Sequence, residues 1–206
     1  MVKVFNKLSD SELLELKKGV IEVTGKAMNR TALGVVDAIF TLYPKITLPE
    51  LQEMLPDSLN PSAPKNFKSI FKPFTTKNYG VFQPGTIRGE ITKQGFDITS
   101  THFTQKGETF KTADGVEILV SKLWESSDTE TGENDLQILI NHVEKFGVRV
   151  VKVDSKVAFN KGSYDLKIIN HSLLESIQKQ NNKSNYWWLI ILFVLLVGLT
   201  IYFLNK

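Results

Sequence analysis

The side chains that could do chemistry are few and scattered along the 206 residues. There is no cysteine, which removes disulfides, thiolate zinc sites, iron-sulfur clusters and cysteine nucleophiles together, and suits a reducing compartment. The three histidines, His102, His142 and His171, stand far apart, and none belongs to a metal-binding arrangement such as HExxH. The acidic stretch 125–134 (ESSDTETGEN) fails as a calcium loop. Taking Asp128 as first ligand places Gly132 where an oxygen donor belongs and Leu139 where a bidentate glutamate is required. No glycine-rich phosphate loop, nucleophile elbow or paired-acid arrangement is present. The expectation is therefore a binding protein rather than an enzyme, with no catalytic residue, metal or cofactor.

The most suggestive chemistry is basic. In KNFKSIFKPF (65–74), Lys65, Lys68 and Lys72 fall at i, i+3 and i+7 while Phe67, Ile70, Phe71 and Phe74 fill the rest of each turn. A helix there is basic on one face and apolar on the other. Lys77 follows in a turn-rich stretch, TTKNYGVFQPG, that reads as a strand or hairpin. Across 61–93 six basic residues meet one acid, whereas across 107–144 nine acids meet two lysines, so the net charge of +3 averages two segments of opposite sign.

Helices must position these lysines. Ser9 or Asp10 caps a helix carrying Leu13, Leu14, Leu16, Val20, Ile21 and Val23, which the spacing predicts to run to Gly25. Thr31–Tyr43 is a largely apolar helix stopped by Pro44, and Thr47 caps a third helix, LPELQEML, closed by Pro56. Helix, short helix, turn, basic helix and basic hairpin in this order resembles a winged-helix module over Thr31–Gly85. The resemblance implies that Lys65, Lys68, Lys72 and Lys77 contact nucleic-acid phosphates.

The second half reads as an α+β layer sandwich. Asp114-Gly115 centres a hairpin over 108–121, Asp135 starts a helix ended by Gly147, VRVVKV (148–153) is a buried strand, and 157–169 is a second hairpin around 160–162. Asp154 with Asp165-Leu166-Lys167 resembles the loose spacing of the PD-(D/E)xK nucleases. That resemblance implies a divalent-metal nuclease as a further alternative.

The strongest single signal lies near the end of the sequence. Trp187–Leu204 contains eighteen residues without a charge, roughly 27 Å as a helix, with aromatic residues at both ends. No apolar signal stretch opens the sequence, and Lys167, Lys179 and Lys183 precede the run while only Lys206 follows it. The expectation is a single-pass, C-terminally anchored membrane protein with its N-terminal bulk cytoplasmic.

Four parts follow from these readings: a helical, winged-helix-like module (1–93), an α+β domain (94–171), a polar juxtamembrane linker (172–185) and a transmembrane helix (186–204). The expected partners are the lipid bilayer and nucleic acid. A membrane-tethered protein-interaction scaffold, in which the basic segment meets an acidic partner or a second copy, is the alternative.

Overall fold

The computed structural model describes residues 8–61, 63, 80–93, 95–124, 135–151 and 164–182. Helix α1 (Asp10–Lys18) starts in a reciprocal cap: Ser9 Oγ accepts from the Glu12 N–H, and the Ser9 N–H donates to Glu12 Oε2 at 2.8 Å. The helix does not reach Gly25. Gly19 adopts φ +97°, and the next residues form strand β1 (Ile21–Gly25). The reason is a change of period. Ile21 and Val23 alternate with Glu22 and Thr24, a pattern of two that suits β-branched side chains in a sheet.

β1 is the middle strand of a three-stranded sheet. It runs parallel to β5 (Val148–Val151), pairing Ile21 with Val148, and antiparallel to β6 (Tyr164–Ile168), pairing Val23 with Leu166. Helix α2 (Met28–Leu42) lies against this sheet with Ala32, Leu33, Val35, Val36, Ile39 and Leu42 buried. Gly34 permits the close approach, because a Cβ there would sit 2.8 Å from Val23 Cγ1 and 2.9 Å from the Tyr164 ring. Helix α3 (Leu48–Met54) follows with Thr47 and Glu50 forming its capping box and Pro49 in its first turn.

A second small sheet has the order β2 (Phe82–Pro84), β4 (Glu117–Val120), β3 (Thr109–Lys111). Its β3–β4 hairpin turns at Asp114-Gly115 as expected, with Gly115 at φ +87°. The tip has a second task, since Asp114 Oδ1 accepts from the Leu48 N–H at 3.1 Å, at the start of α3. β2 lies at the sheet edge, where Pro84 costs no ladder bond. Helix α4 (Ile87–Lys93), not foreseen in the sequence, closes a small apolar cluster of Ile87, Ile91, Ile98 and Leu119.

Helix α5 (Asp135–Val143) passes through a 3-10 turn (Glu144–Phe146) to Gly147 in the left-handed region, and the chain then enters β5, all as expected. Helix α6 (His171–Asn182) replaces most of the expected linker over 172–185. Asn170 caps it through the Leu173 N–H at 3.1 Å, and Leu173, Leu174 and Ile177 enter the core. Apolar residues at i, i+1 and i+4 supply a burying face that the polar remainder conceals.

Among the described residues the structure is mixed α+β, with six α-helices and two small sheets. Both sheets take strands from either side of residue 93, and one apolar cluster runs from Leu8 to Ile177. Among the described residues, no helix is long and apolar enough to cross a membrane; the segment 186–204 lies outside them.

Candidate functional site

Lys65, Lys68, Lys72 and Lys77 lie outside the described residues, but the two points where the chain leaves and returns are well defined. Asn60, fully buried, holds both. Its Nδ2 donates to the Gly80 carbonyl at 3.3 Å and to the Leu123 carbonyl at 2.9 Å, while its Oδ1 accepts from the Ala63 N–H at 3.3 Å. Gly80 is pressed against Asp57 so closely that a Cβ would fall 2.3 Å from the Asp57 Cα. Burial raises the Asp57 carboxyl above its ordinary value, and the Gly80 N–H partly offsets this. Asn60 therefore ties Ala63, Gly80 and Leu123 together at one point. The strand that closes the expected wing, β2, pairs with β4 from further along the chain. Of the other basic residues in 61–93, Arg88 is tied to Glu117 at 2.9 Å, whereas Lys93 is exposed.

The nuclease spacing is not assembled among the described residues. Asp154 lies outside them, Asp165 and Lys167 stand opposite Thr24 and Glu22 on β1, and no group of three or more histidines and carboxylates is placed to hold a metal. His102 and His142 are held in structural contacts, whereas His171 is exposed at the start of α6. His102 is buried with Nδ1 2.9 Å from Thr101 Oγ1, and burial, followed by the Lys122 charge, pushes its pKa down to about 3. His142 donates from Nε2 to the Met54 carbonyl at 2.8 Å, tying α5 to the end of α3, and burial lowers its pKa as well.

A site that sequence reasoning missed lies beside the first half of α2. Arg30, Asp37, Glu108 and Tyr164 surround a cleft of about 490 Å³, rimmed by the exposed loop Gln105–Gly107. Arg30 forms an ion pair with Glu108, its guanidinium 4.6 Å above the Phe103 ring. Tyr164 donates its hydroxyl to Asp37 Oδ2 at 3.0 Å. Burial raises the Tyr164 pKa, and the Asp37 charge adds to it, so the phenol keeps its proton and remains a donor. Arg30 and Asp37 are seven residues apart, two turns along one face. That spacing was visible in the sequence, but an expected helix beginning at Thr31 excluded Arg30.

A second cleft, of about 420 Å³, opens at the carboxyl ends of β1 and β5. Met28, Leu136, Ile140 and Val150 form its walls, with Lys26 beside it. Its lining is mainly aliphatic, whereas at the first cleft Arg30, Glu108, Asp37 and Tyr164 are joined in hydrogen-bonded pairs.

No family model, curated protein or solved structure matches this chain. Its chemistry has to be argued from its own residues.

Proposed function

We propose that this protein is a membrane-anchored binding module: the segment 186–204 crosses the bilayer, and the folded α+β part presents the basic segment 61–93 to an anionic partner on the cytoplasmic side. The observation that carries the reading is helix α6. It packs on α1 and α2, with Ser176 Oγ donating to Glu12 at 2.6 Å and Gln178 Nε2 donating to the Thr41 carbonyl at 2.8 Å. It continues to Asn182, directly before the apolar run. The few residues that remain reach at most roughly 14 Å when fully extended. A folded body so close to the bilayer works at the membrane surface, and positive charge on that side fits a cytoplasmic face.

The anionic partner is nucleic acid in the reading that Lys65, Lys68, Lys72 and Lys77 support. The described residues on either side of them are tied together, Asn60 bonding to both Ala63 and Gly80, which supports a segment with fixed ends. An acidic protein, or the acidic region 107–144 of a second copy, is the other partner class.

Membrane fractions washed with alkaline carbonate test the anchor. The full chain is expected to stay in the pellet and a chain ending at Asn182 in the supernatant; release of both overturns the anchor. For the partner, duplex DNA retention across a salt series is expected to fall steeply with salt, and Lys65→Glu, Lys68→Glu and Lys72→Glu together should abolish it. Retention that ignores those changes rejects the nucleic-acid reading, and a change in sedimentation mass instead favours self-association.

A further inference from the structure

The cleft at Arg30 and Asp37 sets groups that only accept hydrogen bonds beside groups that only donate them. The carboxylates of Asp37 and Glu108 accept, whereas the guanidinium of Arg30 donates. Among the described residues, two carboxylates face Arg30 and the exposed Lys106, so their formal charges balance. A ligand carrying its own charge has to compete with the Arg30–Glu108 pair, which is part-buried, with 28% and 16% of the two side chains exposed. A hydroxyl group donates to a carboxylate and accepts from a guanidinium at once, leaving that pair in place. The volume of about 490 Å³ falls within the range of small-molecule sites.

We propose that this cleft binds a neutral polyhydroxylated ligand, a sugar or polyol unit, with Asp37 and Glu108 accepting from its hydroxyls, Arg30 donating to them, and Gln105 contacting it at the rim. Tyr164 acts as a positioning residue. Its hydroxyl donates to Asp37 Oδ2 at 3.0 Å beside the space, which fixes the carboxylate that the ligand meets. Asp37 lies on α2 and Tyr164 at the start of β6, two elements packed together in the core, so the acceptor is held by the fold. The inference does not depend on the membrane anchor or on the basic segment, because the cleft is built from other residues.

The test uses the full chain in a detergent without a sugar headgroup, so that the detergent cannot occupy the cleft. Saturation-transfer NMR is recorded with D-glucose, D-galactose, N-acetylglucosamine and myo-inositol, and separately with glycylglycine and inorganic phosphate. The expected result is transfer to at least one of the polyhydroxylated probes and none to the charged ones. Glu108→Gln and Gln105→Ala should each weaken that binding about tenfold, the loss of one or two directed hydrogen bonds. Gln105 is exposed, so its replacement leaves the fold intact even if Glu108→Gln does not fold. Transfer to none of the polyhydroxylated probes overturns the proposal, as does binding that Gln105→Ala and a folded Glu108→Gln both leave unchanged. Transfer to glycylglycine or phosphate alone also overturns it, in favour of a charged ligand.

Discussion

At its carboxyl end α2 is fastened on several sides: Leu42 and Tyr43 are buried, the Tyr43 hydroxyl donates to the Phe146 carbonyl at 3.0 Å, and Gln178 of α6 donates to Thr41. At its amino end the same helix has no side-chain cap, because Ala27 stands at the capping position, and both clefts open beside its first turns. The difference separates two tasks on one rod. Apolar packing and buried hydrogen bonds hold the end near α6, while polar side chains with partial access to water are reserved for the other. Arg30 and Thr41 are eleven residues apart, which sets the cleft roughly 16 Å along the helix from the anchored end.

Substitutions at the two ends, and at the supports between them, should differ in kind. The largest effect is expected at Gly34→Leu, where the new side chain meets Val23 and Tyr164. A loss of about 3 kcal/mol or more in urea unfolding is the forecast, and a loss below about 1 kcal/mol would mean that helix and sheet are not in close contact. Asn60→Ala removes three hydrogen bonds at a fully buried site and should cost about 2–3 kcal/mol, with faster protease cleavage between residues 63 and 80; an unchanged cleavage rate would refute the clamp.

His102 gives a pH dependence of definite sign. Its folded pKa, about 3, lies below the ordinary 6.5, so the unfolded chain binds the proton more readily. The contribution is complete above pH 6.5 and declines as the pH falls toward 3, with a slope approaching about 1.4 kcal/mol per pH unit. His102→Gln should flatten unfolding free energy across that window, and an unchanged slope would show that other groups set it. Tyr43→Phe at the fastened end should cost about 1–2 kcal/mol by removing the buried hydrogen bond to the Phe146 carbonyl. Arg30→Gln at the open end should cost less than about 1 kcal/mol, since the pair is partly solvated. Equal losses at these two positions would erase the proposed division of the helix.

Much of the local structure was legible in the sequence because its signals are local. Thr47 as the cap of α3, Asp114-Gly115 and the helix ended by Gly147 each depend on a few neighbouring residues, and each forms as expected. The misreadings share a different cause. Val20 to Val23 extends the apolar pattern of α1, yet the backbone turns at Gly19, and β1 finds its partners only at 148–151 and 164–168. Likewise the polar residues of 178–182 hide a helix held by Leu173, Leu174 and Ile177, whose burial depends on α1 and α2. The cleft was illegible for the same reason: Arg30, Glu108 and Tyr164 are brought together only by the fold, and no short motif joins them. The basic segment was legible as charge, and its anchoring at Asn60 was not.

The central position of β1 has a consequence for biosynthesis. Ile21–Gly25 leaves the ribosome early, but β5 and β6 are translated last among the strands, β6 ending roughly 140 residues later. At ordinary elongation rates of about 5–20 residues per second, the nascent strand waits roughly 7–30 s with both edges unpaired. Such distant pairing folds slowly and exposes an aggregation-prone ribbon meanwhile, so the sheet closes only after β6 has been synthesised.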